Sequence, residues 1–123
     1  MLVAGSSFPE ASNKVELFDV KNNKLILLPD LNVGRSGLCA LTFREKAYLF
    51  SDDSIESLVI DPWWANKASA QKTWTKMDLK MPALKFATMI ELSSDKVLIL
   101  GGEVYPGVIN YQKFTVNLTS GKV

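Results

Sequence analysis

Few side chains in this 123-residue sequence are suited to covalent or acid–base chemistry, and their pattern limits what chemistry is open to them. Histidine is absent and cysteine occurs once, at Cys39. Zinc sites of the usual Cys/His types, and Ser-His-Asp or Cys-His nucleophilic systems, are therefore excluded within this chain. Asp52-Asp53 is an adjacent acid pair, but neighbouring residues on a turn point apart, so paired acid–base work is not expected and turn formation accounts for them. Cys39 lies in the apolar run Leu38–Leu41. It reads as a small buried hydrophobe rather than a nucleophile. Gly101-Gly102 follows the apolar run Val97–Leu100. A phosphate-cradling loop would need a helix and a Lys-Ser/Thr pair after the glycines, and neither is present. The paired glycines instead suit a sharp bend or a close backbone approach at the end of a buried strand.

The elements around these residues belong to a folded protein. The chain is 47% apolar and 22% charged, with a net charge of +1 from well-mixed basic and acidic residues. That composition suits a single globular domain. The absence of a Lys/Arg stripe argues against nucleic acid as a partner, and the apolar runs are far below the roughly 18 residues that would span a bilayer. The first residues, Met1–Ser7, lack the charged and apolar regions of a signal peptide. With a lone cysteine, the balance points to a reducing, cytoplasmic setting, cytosolic or cytoskeletal. The sequon Asn117-Leu118-Thr119 then reads as chance.

Short apolar runs punctuated by turn residues recur along the whole chain. Strands are expected at Leu2–Gly5, Val15–Val20, Leu25–Leu28, Leu38–Phe43, Ala47–Phe50, Ile55–Asp61, Thr73–Asp78, Ala87–Leu92, Val97–Leu100 and Ile109–Val116. Loops are expected at 6–14 and at Glu103–Val108, which holds Pro106 and Gly107. No helix is expected beyond one short turn in the connection from Pro62 to Gln71.

These elements repeat. The strand-to-turn junctions at Gly5, Asp52 and Gly102 are 47 and 50 residues apart, and Leu25 and Trp74 are separated by 49. A strand after each junction ends in an acid or amide: Asp19, Asp61 and Asn117. Fixed periods of this size mark repeat architectures.

With these residues the chain resembles the kelch-repeat family. There a strand ends in Gly-Gly, a later strand carries a Tyr-Asp-like pair, and a Trp opens the fourth strand. The matching residues here are Gly101-Gly102, Phe18-Asp19 with Ile60-Asp61, and Trp74. Ala4-Gly5 and Ser51-Asp52 replace two diglycines, Leu25 and Val123 stand where Trp is expected, and Lys85 stands where a second arginine after Arg35 is expected. The resemblance implies an all-β fold: kelch-like β-propeller blades of four antiparallel strands, about two and a half of them, in an incomplete propeller. The implied divisions are a partial blade over 1–33, a full blade over 34–80 and a partial blade over 81–123. Gly5, Asp19, Asp61, Trp74, Gly101 and Gly102 are its structural motif residues. Two broad apolar blade faces would be left to be covered by further blades or subunits.

The resemblance also gathers the candidate contact residues. Loops after the glycine strands, holding Ser6, Glu10, Glu103 and Tyr105, are implied to share one face with the loops of Arg35 and Lys85. Arg35 is a ligand contact on one reading and a clamp between blades on the other, the second being favoured. Trp63 and Trp64, in the long connection after Asp61-Pro62, are either exposed interface anchors or side chains folded back over a blade edge. The function expected is a non-catalytic protein–protein interaction module or scaffold within a larger assembly, with protein partners and no cofactor or metal. The alternatives are a fragment of a galactose-oxidase-like enzyme, whose histidine ligands this chain lacks, or of a BTB-kelch-like ubiquitin-ligase substrate adaptor.

Overall fold

The computed structural model describes residues 2–5 and 11–123, and of residues 3, 64 and 65 the backbone alone. Among the described residues there are three sheets, all antiparallel. The first holds β1 (Leu2–Ala4), β2 (Val15–Asp19) and β3 (Lys24–Leu27), in that order. The second is a four-stranded meander of β4 (Cys39–Phe43), β5 (Lys46–Ser51), β6 (Ser54–Val59) and β7 (Thr75–Asp78). In the third, β9 (Lys96–Tyr105) pairs with β8 (Lys85–Ser93) along one edge and with β10 (Val108–Ile109) and β11 (Lys113–Asn117) along the other. The connection after β6 forms one helical turn, α1 (Pro62–Ala65), and a 3-10 turn, Lys67–Ser69.

The middle sheet is packed on both faces, and its sequence shows it. Along β5, Ala47 and Leu49 enter a core shared with Val15, Leu17, Leu28 and Leu31 of the first sheet and its following loop. The alternate residues Tyr48 and Phe50 enter a second core with Met89, Val97, Ile99 and Val116 of the third sheet. Successive side chains of a strand point to opposite faces, so a strand between two sheets must be apolar at nearly every position. Among the described residues, several apolar side chains on the outward faces of the flanking sheets stay open to solvent. Leu25 and Leu27 remain 56% and 67% exposed on the first, and Ile90 and Leu92 44% and 52% exposed on the third.

The turns follow local chemistry. Asp19 accepts hydrogen bonds from Asn22, N to Oδ1 at 3.3 Å and Nδ2 to Oδ2 at 2.8 Å, which holds its carboxyl below the usual range and closes the β2–β3 turn. Between β4 and β5 the turn is Arg44-Glu45, with φ of 53° and 64°. Two positive φ values in a two-residue hairpin match the right-handed twist of the strands.

The largest departure from the sequence expectation follows Gly101-Gly102. The strand does not end there. β9 runs on to Tyr105 and returns as β10, with Val108 opposite Tyr105 and Ile109 opposite Glu103. The expected loop Glu103–Val108 is therefore a hairpin, and the expected strand Ile109–Val116 is split into β10 and β11. Pro106-Gly107 makes the turn, with Gly107 at φ +79° as the third residue of a type II turn requires. Asn110 closes the hairpin base: its N donates to the Gly102 carbonyl at 2.9 Å and its Nδ2 to the Gly101 carbonyl at 2.8 Å. A side chain at Gly102 would push the strands apart, because a Cβ there would lie 2.6 Å from the Lys85 carbonyl oxygen.

Candidate functional site

The sheets meet at loops that do different things. The loop from Leu28 to Gly37 is locked into the middle sheet. Arg35 is 1% exposed, and each nitrogen of its guanidinium is engaged. Nε donates to Glu56 Oε2 at 3.0 Å, Nη1 to the carbonyls of Ser51 and Ser54, and Nη2 to Ser54 Oγ at 2.7 Å. The other Glu56 oxygen accepts from Asn32 N and Nδ2 at 2.6 and 2.8 Å. Trp74 Nε1 donates to the Pro29 carbonyl at 2.8 Å, which ties the same loop to β7. A buried charge is tolerated only when paired and hydrogen-bonded. Arg35 meets that condition as an inter-sheet clamp and presents no surface to a partner.

Trp63 does not form an exposed anchor either. It is 8% exposed within the first core, and the Lys72 ammonium sits 5.6 Å from its ring centroid. The side chain of Trp64, and Ser6 and Glu10, lie outside the described residues.

The other three contact candidates, Lys85, Glu103 and Tyr105, are brought together. They line a groove of about 220 Å³ at the head of the third sheet, with Asp52, Ala83, Phe86, Val104 and Pro106. In the sequence Asp52 reads as a turn residue, and nothing marks Phe86. The turn role holds, since Asp52 has a φ of 61°, but the carboxylate also faces the groove. The Lys85 ammonium lies 3.1 Å from Asp52 Oδ1 and donates to the Ser36 carbonyl at 3.1 Å. Lys85 thus stands one repeat on from Arg35 but works differently. It is a point charge reaching back to the middle sheet, where the planar fork of arginine grips a carboxylate and several carbonyls.

The groove projects because the third sheet is extended. In the second sheet β5 passes to β6 through Asp52-Asp53, whereas in the third residues 101–112 lie between the paired positions Leu100 and Lys113. Tyr105 and Tyr111 on this extension are 71% and 91% exposed. Phe86 on the opposite wall is 68% exposed and has a φ of +59°. A bulky aromatic residue in the left-handed region costs roughly 1–3 kcal/mol. Its geometry is enforced by Gly37, whose carbonyl accepts from Phe86 N at 2.7 Å. A Cβ on Gly37 would sit 3.2 Å from Phe86 Cε1, so the lack of a side chain there makes room for the ring. Among the described residues, no group of three or more His, Cys, Asp or Glu side chains is placed to hold a metal ion.

Comparison with solved structures shows which architecture these sheets belong to. The chain matches the structure of YjhT, a kelch-repeat β-propeller protein, with a TM-score of 0.71 over 96% of its own length. The fold is that of part of a kelch β-propeller. The match spans 46% of the YjhT chain at 14% sequence identity, so it speaks to architecture alone. No protein-family model and no curated protein matches the sequence. The three sheets are therefore propeller blades. Gly5, Asp52 and Gly102 sit at corresponding blade positions, at or just past the ends of β1 and β5 and within β9. By that correspondence β1, β2 and β3 match β5, β6 and β7, while β8, β9 and β11 match β4, β5 and β6. The Arg35 network is then a junction between the first two blades, and the groove lies at the junction between the second and third.

Proposed function

We propose that the chain is a non-catalytic protein-interaction module that works within a larger propeller or assembly. Its contact surface is the groove and hairpin of the third blade. The observation that carries this reading is the extension of that blade past Gly101-Gly102. It sets Tyr105 and Tyr111 out in solvent, and Tyr105 shares the groove with Phe86, an aromatic side chain held in a strained backbone conformation. Aromatic side chains at the centre of an exposed, pre-organised patch are typical binding anchors. Insertions in the loops of a rigid scaffold are where binding residues concentrate. The outward apolar faces of the first and third blades are a second, separate surface, suited to further blades or subunits.

The test is site-specific photocrosslinking in the cells that express the protein. A photoreactive residue at position 105 is expected to trap a discrete protein, the same residue at Lys76 on the rim of β7 is not, and Phe86→Ser is expected to abolish the adduct. Equal labelling from positions 105 and 76, or no adduct from 105, would overturn the reading.

A further inference from the structure

Glu103 is where the groove departs from the expected pairing of charges. Its direct neighbour on β8 is Lys85, with Ile109 on its other side. On an antiparallel pair such opposite charges ordinarily satisfy each other. Lys85 instead turns its ammonium to Asp52 and the Ser36 carbonyl. Glu103 is a half-buried residue, and no ion pair or hydrogen bond from any described residue reaches its carboxylate. The groove thus contains two carboxylates and one ammonium, with the ammonium committed to Asp52, and the remaining charge is negative. Its other walls are apolar: Phe86, Val104, Tyr105 and Pro106.

A carboxylate beside aromatic faces favours a particular kind of guest. A cation gains from the ring quadrupole of Phe and Tyr as well as from the anion. A planar guanidinium stacks on such rings, is more weakly hydrated than an ammonium, and meets a carboxylate through two parallel hydrogen bonds. Its aliphatic stem suits the apolar wall. Phe86 adds some pre-organisation, because the Gly37 carbonyl holds its backbone in the left-handed conformation that aims the side chain before any ligand arrives.

We propose that the groove is a receptor site for an arginine side chain presented by a partner protein. This rests on the interaction-module reading above and names the chemistry of the partner. The Glu103 carboxylate accepts from the guanidinium, Phe86 and Tyr105 flank its plane, and the Lys85–Asp52 pair closes the inner end. An acidic segment is disfavoured by the same Glu103.

Saturation-transfer-difference NMR on the full chain tests this, because it reads the ligand and tolerates an associated protein. The probes are capped Gly-Arg-Gly, Gly-Lys-Gly and Gly-citrulline-Gly peptides; citrulline keeps the shape of arginine without its charge. The arginine peptide is expected to saturate, the citrulline peptide to bind about tenfold more weakly, and the lysine peptide to fall between them. Glu103→Gln is expected to lower arginine affinity by about tenfold, and Glu103→Lys to abolish binding. Equal binding of the arginine and citrulline peptides to the unaltered chain overturns the proposal, as does undiminished arginine binding by Glu103→Gln. The crosslink from position 105 separates the two levels of inference. An adduct that persists in Glu103→Gln ends the arginine proposal and leaves the interaction reading standing, whereas no adduct in the unaltered chain ends both.

Discussion

Arg35 Nε lies 3.0 Å from Glu56 Oε2, and the two side chains are 2% and 0% exposed. Each keeps the other's charge tolerable inside the protein, and each also satisfies backbone or amide groups of another element. Removing one partner leaves the other buried without compensation. Arg35→Ala and Glu56→Ala are each expected to cost about 3–5 kcal/mol, read as a lowered midpoint in urea. The double variant Arg35→Met/Glu56→Leu is expected to lose less than either single variant, because an apolar pair leaves no stranded charge. A double-mutant cycle on these residues measures the coupling.

Gly101 and Gly102 share positive φ values, +72° and +80°, but not surroundings. A Cβ at Gly101 meets nothing within 4 Å, whereas one at Gly102 would lie 2.6 Å from the Lys85 carbonyl oxygen and 2.9 Å from Ala87 N. Gly101→Ala is expected to cost on the order of 1 kcal/mol, from backbone conformation alone. Gly102→Ala must also force β8 and β9 apart at the groove, so its cost is expected to be at least twice as large, about 2–4 kcal/mol. Thermal melts of the two variants, run together, report the difference.

These two sites also show what was legible in the sequence. The blade architecture was readable because Gly5, Asp52 and Gly102, with Leu25 and Trp74, recur at spacings of 47 to 50 residues, and because the run Val97–Leu100 before the paired glycines is apolar at every position. The structural reading of Arg35 was the favoured one, but its partner Glu56 was not identifiable. A glutamate in a strand ordinarily faces water, and only the approach of the Asn32–Arg35 loop makes a buried one tolerable. The hairpin after Gly101-Gly102 was missed because a glycine pair breaks a strand as readily as it bends one. What decides is the pairing of Tyr105 with Val108 across the Pro106-Gly107 turn and the Asn110 closure at the hairpin base. Phe86 was invisible for a similar reason. Its left-handed backbone is imposed by Gly37, a neighbour from the preceding blade junction, and not by its own sequence context.

Cys39 opens β4 and borders the second core. Burial pushes its thiol up to about 11 from an ordinary 9.0. The thiol is therefore expected to resist iodoacetamide in the folded chain at pH 8 and to react promptly once the chain is unfolded in urea. The same shift makes stability depend on pH. The folded state holds the proton more tightly, so the contribution is complete below the unfolded value of 9.0 and is lost as pH rises through about 11. The loss is on the order of 2 kcal/mol across that window. Comparison with Cys39→Ala isolates it, since the alanine variant is expected to lack this part of the alkaline decline.

The outward faces of the first and third blades make the clearest demand on anything that surrounds this chain. Leu25 and Leu27 share one face by register, opposite the buried Val15 and Leu17. Ile90, Leu92, Leu98 and Leu100 share the other, opposite the buried Met89, Val97 and Ile99. In a propeller such faces pack against the next blade, and exposed apolar patches of this kind drive association when nothing covers them. The isolated chain is expected to elute in size-exclusion light scattering with a mass above its 13.6 kDa, rising with concentration. Leu27→Lys and Ile90→Lys place a charge at the middle of each face without touching either core. Together they are expected to shift the chain toward the monomer mass while leaving its unfolding free energy within about 1 kcal/mol of the parent. A parent chain that is monomeric at every concentration would mean that these faces are satisfied as they stand and need no further blade.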